Sequence, residues 1–507
     1  MSDFKGKKIL IFQQRGWAIN VGHFLAKKLQ AEGCELAALT LRRTTHNFII
    51  SQQDVNYKKI LNVDEIIENP HKFIKEDDLT LEKICAELNL DSVWGLLQSN
   101  RLLVRSYGDK YFYSFSQNVS DKYIADYVKA YYSAVKNFLE EFRPDLIITA
   151  AAIYDGHAFL HLLAKKYDIP VVALTDAKVT DYYFFTYSYK NDNGEFFDRV
   201  DALNEKRVET ANREKASRYI RDFRDNFFQT ECAVRWEMNK KKKSFIQKIK
   251  WEISPYKQIA GWYLKKRRKN FIKNVGPTTD CRPPRIIWRD FYAQKKYLKF
   301  ARNFDYYPLE KIGNCVYFPL QYQPEATIDL FAPYFNNQLD LARQIAMSLP
   351  GDFCLVVKPH PGMAGIISPS YIKKLNRTPN IKIVDYRLSG KDVLKKAKLV
   401  LSPNSTTLAE AAFFHKPAIQ FGDLGTTLKL PNVQKHTDMT TLSKKIKEML
   451  SLNLDTPEYN RRLENYVAAV YDVGFKFKYA ILWRNNEGDK EFFWQIYKKE
   501  IKRILTK

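Results

Sequence analysis

Residues 399–421, LVLSPNSTTLAEAAFFHKPAIQF, contain a strand, a polar loop, a helix and a second strand in one short stretch. The apolar runs at 399–401 and 417–421 have the length and composition of buried strands. The hydroxyl-rich loop between them marks the start of the helix. A strand–helix–strand unit of this kind predicts a parallel sheet that is covered by helices.

The same alternation of strands and helices extends to both sides of this stretch. Nearby it predicts strands at 314–320, 353–357 and 381–384 and a helix around 337–348. Near the N-terminus it predicts strands at 7–13, 35–41, 145–151 and 170–174. We therefore predict the α/β class, with two Rossmann-like, doubly wound domains at residues 1–190 and 311–455 that face a cleft.

Two further segments have helical patterns without strand signals. Residues 191–310 are expected to form a helical, basic linker or insertion, in which 240–273 combine many basic residues with aromatic ones. Residues 456–507 are expected to form C-terminal helices that pack back on the N-terminal domain.

Composition limits the classes of partner. Lys and Arg outnumber Asp and Glu by 82 to 57 in the 507 residues, a formal charge of +25, which favours a polyanionic partner. The chain has no nucleic-acid-binding motif, so nucleic acid is disfavoured.

The six cysteines are scattered and lack the spacing of a metal site. With no signal peptide or membrane span predicted, we expect a cytoplasmic protein.

The strand at 353–357 runs directly into Lys358-Pro359-His360-Pro361. Ligands gather at the carboxyl ends of strands in open α/β sheets, and the two prolines hold the loop rigid. Lys358 and His360 are therefore candidates for binding a phosphate. The alternative is an ordinary turn with a surface histidine.

The loop after residues 399–401 is a second candidate anion site, and we expect its strand to lie next to the strand at 353–357. Asn404 or Ser405 can cap the helix that starts at Thr406, and free N–H groups at a helix start attract anions. Glu410 follows about one turn later, where it can accept hydrogen bonds from ribose hydroxyls. The alternative is a capping box with Glu410 on a solvated face.

A third polar loop, QYQPEAT at 321–327, follows the first strand of the same domain. Its Gln323 and Glu325 suit the edge of a base or the hydroxyls of a sugar. The alternative is a simple strand-to-loop connection.

The catalytic candidates lie in the N-terminal domain. Asp155 and His157 follow the strand at 145–151, and Asp155 can act as a general base or as a nucleophile. The alternative places Asp155 as a helix cap with His157 in the first turn. Asp176 and Asp181 are the next candidates.

Basic and aromatic residues alternate in residues 240–273, where Glu252 is the only acidic residue. Such a segment suits the anionic surface of a membrane. A solvated pair of charged helices is the alternative.

The order of YFPLQYQPEAT, VVKPHPG and SPNSTTLAEAAFFHKPAIQFGD resembles the capsule polysaccharide biosynthesis family, which includes capsular Kdo transferases, and the resemblance covers about residues 314–425. The resemblance implies a GT-B glycosyltransferase whose C-terminal domain holds a nucleotide-sugar donor and whose N-terminal domain holds the acceptor. It places the phosphate at His360 and the Ser405-Thr406 helix start, and the ribose or base at Glu325 and Glu410. It also favours a CMP- or CDP-linked donor.

The expected enzyme transfers a sugar, with a CMP-Kdo-like donor favoured, to a lipid-linked or glycan acceptor of a bacterial surface polysaccharide. It needs no cofactor or metal, because cationic groups and a helix dipole would stabilise the departing phosphate. It would lie at the cytoplasmic face of the inner membrane. The alternatives are a glycerophosphate or polyol-phosphate transferase with a CDP-linked donor and a non-catalytic assembly or export protein.

Overall fold

Two largely parallel sheets form the centres of two domains in the computed structural model, which describes residues 4–75, 78–111, 113, 116–227, 244–264, 271–278, 281–363 and 365–506. The strands, in chain order, are β1 (Lys8–Gln14), β2 (Glu35–Leu41), β3 (Tyr57–Asn62), β4 (Leu146–Thr149), β5 (Val171–Asp176), β6 (Tyr182–Thr186), β7 (Cys315–Pro319), β8 (Cys354–Lys358), β9 (Ile381–Ile383), β10 (Leu399–Ser402), β11 (Ala418–Gln420), β12 (Val433–Lys435) and β13 (Phe475–Lys476).

Both sheets have a doubly wound strand order. The N-terminal sheet has the order β13-β6-β5-β4-β1-β2-β3, and the C-terminal sheet has the order β12-β11-β10-β7-β8-β9. In each sheet the order reverses beside the first strand of the domain, between β1 and β4 and between β7 and β10. Ligands of such folds bind in the crevice outside the carboxyl ends of the strands at this reversal.

Helices cover both sheets and also form the segments between and after them. In the N-terminal domain they are α1 (Arg15–Trp17), α2 (His23–Ala31), α3 (Arg43–Ser51), α4 (Val63–Glu68), α5 (Leu81–Leu88), α6 (Trp94–Leu97), α7 (Asp121–Phe142) and α8 (Asp155–Lys166). The middle segment contains α9 (Glu195–Asn204), α10 (Arg213–Asn226), α11 (Phe245–Tyr263) and α12 (Pro284–Asn303).

The C-terminal domain contains α13 (Ala326–Asp329), α14 (Gln338–Ser348), α15 (Pro369–Asn376), α16 (Gly390–Lys396), α17 (Thr406–Phe413), α18 (Gly425–Leu428) and α19 (Leu442–Ser451). The tail consists of α20 (Pro457–Val473), α21 (Tyr479–Asn485) and α22 (Lys490–Leu505). No helix in the described ranges has the length and apolar character needed to cross a membrane.

The strand orders confirm the predicted α/β class with two Rossmann-like domains and define a GT-B-like fold. One detail of the sequence interpretation is wrong. The loops after β8 and β10 were expected on neighbouring strands, but β7 lies between those strands. The loop after β7 therefore lies between the two candidate phosphate loops.

The tail contacts both halves of the molecule. Helix α20 packs against α9 and α10 and shares an apolar core with residues of the C-terminal domain. Helices α21 and α22 pack on the N-terminal sheet, where Phe493, Trp494 and Tyr497 lie in one buried cluster with β1 residues. The tail therefore ties the two domains together.

A candidate active site between the two domains

The reversal point of the C-terminal sheet is held together by one glutamine side chain. Gln321, directly after β7, donates from Nε2 to the Asn404 carbonyl at 2.5 Å, and its Oε1 accepts from the Asn404 amide N at 3.2 Å. Its own amide N donates to Oε1 of Gln338 at 2.7 Å. Because Gln321 is buried, these bonds fix the loop after β7 against the loop after β10.

Asn404, predicted to bind the donor, is occupied by contacts within the protein. Its Nδ2 donates to the Thr327 carbonyl at 2.7 Å, and its Oδ1 accepts from Gln420 Nε2 at 2.8 Å and from the Leu424 amide N at 3.1 Å. A Cβ at Gly422 would lie 2.1 Å from Asn404 Nδ2, so only glycine permits this close approach. The side chain of Asn404 therefore positions three loops.

The start of α17 has the expected cap. Ser405 is the cap residue, and its Oγ accepts from the Thr407 amide N at 3.1 Å. Thr406 is the first helical residue and is exposed. The positive end of the helix dipole therefore points to the carboxyl edge of the sheet with an accessible hydroxyl beside it.

Glu410 lies one turn into α17, close to two lysines. Burial raises the pKa of Glu410 to about 7, while the charges of Lys358 and Lys178 act in the opposite direction. Lys358 is the last residue of β8 and is 9% exposed. The predicted residues Lys358 and Glu410 are thus brought together, although they come from strands that are not adjacent.

His360 lies in the loop after β8 with a defined ring orientation. Its Nδ1 accepts from the Gly362 amide N at 3.0 Å, and its ring centroid is 6.0 Å from that of Tyr322. Because Nδ1 accepts, the neutral ring carries its proton on Nε2 and can donate from there.

The loop after β7 carries three polar residues of different exposure. Gln323 is buried, donates from Nε2 to Asp329 Oδ1 at 3.0 Å and accepts from Gln338 Nε2 at 3.0 Å. Glu325 keeps exposed surface, and its Oε2 accepts from Thr327 Oγ1 at 3.0 Å. Desolvation raises the pKa of Glu325, against the effects of Thr327, Arg101 and Lys178. Gln323 therefore positions the loop, and Glu325 remains accessible.

Lys178 is a candidate that the sequence interpretation missed. It follows β5 of the N-terminal domain, has φ of 60°, and lowers the pKa of both Glu325 and Glu410 in the other domain. A lysine with positive φ is uncommon, and such backbone strain is found most often at functional sites. The polar loop that follows an apolar strand, in LTDAKVTD, is the sequence signal that could have identified it.

Asp155 and His157 lie deeper than expected. Both are fully buried, so neither side chain faces the cleft surface. Asp155 Oδ2 accepts from Asn100 Nδ2 at 3.1 Å and from the Tyr127 hydroxyl at 3.0 Å. Burial raises the pKa of Asp155 to about 7 and lowers the pKa of His157 well below its ordinary value.

The alternative of Asp155 as a helix cap is also not met. Tyr154 is the cap residue of α8, and Asp155 is the first residue of that helix. The Asp155 carboxyl is hydrogen-bonded to Asn100, whose chain neighbour Arg101 lines the space between the domains.

No family model and no curated protein matches the sequence. Several solved structures are similar in fold. UDP-GlcNAc 2-epimerase from Methanocaldococcus jannaschii, in complex with UDP-GlcNAc and UDP, is 10% identical with a TM-score of 0.25, over 90% of this chain and 98% of that one. KpsC from Thermosulfurimonas dismutans, a β-Kdo 2,7-transferase, is 11% identical with a TM-score of 0.33, over 66% and 79%. The fold assignment rests on the strand orders themselves.

Proposed function

We propose that the chain is a glycosyltransferase that binds a nucleotide-sugar donor at the carboxyl edge of β7, β8 and β10. One observation carries this proposal. Loops from these three strands, together with Lys178 from the other domain, bring cationic groups and a helix start to the reversal point of the C-terminal sheet. A nucleotide phosphate is the ligand that such an edge accommodates.

The donor contacts follow from the chemistry of each group. His360, Lys358 and the start of α17 at Ser405-Thr406 would stabilise the phosphate as the sugar leaves. Glu410 and Glu325 would accept hydrogen bonds from the ribose or the base. The resemblance over about residues 314–425 favours a CMP-linked sugar such as CMP-Kdo, for a surface polysaccharide.

Catalysis is proposed to involve a carboxylate near the acceptor hydroxyl. Asp155, the residue predicted from the sequence together with His157, is enclosed within the N-terminal domain. Glu325 is a second candidate, because it is accessible between the domains and a general base must reach the proton that it removes.

The described part of the basic segment supports contact with an anionic membrane surface. Helix α11 presents apolar side chains to solvent at helical spacing, and among them Phe245 is 76% exposed and Tyr256 is 61% exposed. Lys248, Lys250 and Lys257 are exposed on the same helix. Residues 240–243 and 265–270 of the predicted segment lie outside the described residues. A surface-bound enzyme of this kind could reach a lipid-linked acceptor.

The test is release of the free nucleotide from a panel of donors: CMP-Kdo, CMP-sialic acid, CDP-glycerol and UDP-GlcNAc. A CMP-sugar that is turned over supports the proposed donor class. Turnover of CDP-glycerol alone would instead support the glycerophosphate transferase. A protein that releases no nucleotide from any donor, with an acceptor extract present, would contradict the proposal and favour a non-catalytic assembly protein.

A further inference from the structure

A pocket of about 280 Å³ opens between the two domains, beside the carboxyl edge of β7, β8 and β10. The N-terminal domain contributes Trp94, Gln98, Arg101 and Arg105, and the C-terminal domain contributes Asp329 and Asn336. Its volume lies just below the range of about 300–1,000 Å³ that is typical of sites for whole small molecules. The pocket therefore suits one part of a substrate.

An aromatic ring forms one side of this pocket. Trp94, in the short helix α6, is 42% exposed, which is unusual for a tryptophan. The neighbouring Gly95 faces Tyr334 of the other domain: a Cβ added there would lie 3.7 Å from the Tyr334 hydroxyl. Tyr334 is itself 82% exposed. Exposed, rigid and amphipathic rings of this kind suit the C–H face of a sugar ring, while amide side chains such as Gln98 and Asn336 suit its hydroxyls.

Two arginines bring positive charge to the pocket. Arg101 forms an ion pair with Asp329, in which Nε lies 3.9 Å from Oδ2, a distance too long for a hydrogen bond. The guanidinium group of Arg105 stacks on Tyr107, with Cζ 4.7 Å from the ring centroid. Within the described ranges the side chain of Arg105 forms no hydrogen bond or ion pair. A guanidinium group has the geometry to bind a carboxylate through two parallel hydrogen bonds.

The two acidic residues of the pocket wall, Asp329 and Asp121, accept hydrogen bonds from other side chains. Asp329 accepts from Gln323, and burial raises the pKa of Asp329 to about 6. Asp121 accepts from Gln117 Nε2 at 2.8 Å and lies at the start of α7, where the helix dipole favours a negative charge. Both aspartates thus accept hydrogen bonds from other residues, and Arg105, which has no acidic partner within the described ranges, is available for an anion beside the Arg101–Asp329 pair.

We propose that this pocket is the acceptor subsite and that it binds an acidic saccharide unit, with the ring on Trp94 and the carboxylate at Arg101 and Arg105. The proposal rests on the proposed transferase function. Asp329 is the last residue of α13 and Glu325 caps the start of that helix, so a saccharide in the pocket would lie next to the carboxyl edge of β7, β8 and β10. An acceptor hydroxyl could then meet the donor sugar between the domains.

The experiment measures binding of tetragalacturonate, an acidic oligosaccharide, and of maltotetraose, a neutral one, to the full chain by titration calorimetry. The proposal predicts that tetragalacturonate binds more tightly. Trp94→Ala should weaken this binding about tenfold or more, and Arg105→Gln should weaken it about as much and remove the preference for the acidic ligand.

Matched controls are Tyr292→Ala, a 60%-exposed aromatic residue on α12, and Arg218→Gln, an exposed arginine on α10. Both should bind like the wild type, and thermal melting would verify that each variant is folded. Equal binding of the two oligosaccharides, unchanged binding to Trp94→Ala and Arg105→Gln, or no binding of either ligand would overturn the proposal.

Nucleotide binding, measured on the same proteins, separates this proposal from the proposed function. Saccharide binding that fails while a cytidine nucleotide still binds would refute the pocket assignment alone. Saccharide binding without any nucleotide binding would refute the transferase and leave the pocket as a glycan site.

Discussion

The carboxyl group of Asp155 lies wholly inside the N-terminal domain, and this burial makes stability depend on pH. Its pKa of about 7 in the folded protein compares with an ordinary value of 3.8. As the pH rises from about 4 to 7, Asp155 ionises in the unfolded chain before it ionises in the folded protein. The free energy of unfolding therefore falls over this window and levels off above it. The expected loss is roughly 2–4 kcal/mol.

Asp155→Asn removes this titration, so the variant should gain stability relative to the wild type between pH 5 and pH 8. Urea denaturation at the two pH values measures the difference, and other titrating groups cancel because both proteins share them. Parallel stability changes in the two proteins would show that Asp155 is not titrating in the buried state.

Glu325 and Asp155 can also be separated by their effects on turnover. If Glu325 is the general base, Glu325→Gln should lower kcat by about 100-fold or more, whereas a contact to the ribose alone should raise KM. Asp155→Asn should then have a smaller effect on kcat, because the carboxyl of Asp155 is fully buried. The reverse order of effects would return the catalytic role to Asp155.

At the scale of elements, helix α11 is expected to bind anionic lipid. Ile249 and Ile253 are exposed on one face of α11. The opposite face packs against α12, where the ring centroids of Trp251 and Phe291 lie 5.0 Å apart. The double change Ile249→Glu and Ile253→Glu should lower binding to phosphatidylglycerol vesicles at least about tenfold.

Sedimentation with vesicles of phosphatidylglycerol and phosphatidylcholine measures this effect. Met347→Glu on α14 is the control, because Met347 is 75% exposed and lies on another helix. Added salt should weaken binding of the wild type, since exposed charges contribute. Unchanged binding of the double variant would show that α11 does not contact the lipid.

The apolar runs identified most strands of the sheets, because strands buried on both faces consist of nearly continuous apolar residues. The strands β3, β12 and β13 at the edges of the sheets do not show this pattern. In β3, YKKILN, and β12, VQK, polar residues face solvent at a sheet edge, and β13 has only two residues. Their formation depends on pairing with a strand that is already in place, which a local pattern does not contain.

At the scale of the whole molecule, the sequence placed His360 and Thr406 at the carboxyl edge because strand topology determines that position. Arg101 could not be found in this way, and for Lys178 the only signal was a polar loop after an apolar strand. They meet the C-terminal loops only because the domains pack together, with Ala326, Leu330 and Phe331 in the apolar core of the N-terminal domain. Contacts between domains leave no periodic signal in either part of the chain.

The central claim is that the carboxyl edge of β7, β8 and β10 binds the nucleotide of the donor. The most direct measurement is the melting temperature of the full chain with CMP, CDP, UDP and GDP, for the wild type, His360→Ala and the control His71→Ala, an exposed histidine. Cytidine nucleotides should raise the melting temperature of the wild type and of His71→Ala but not that of His360→Ala. A rise that persists in His360→Ala, or no rise with any nucleotide, would contradict the central claim.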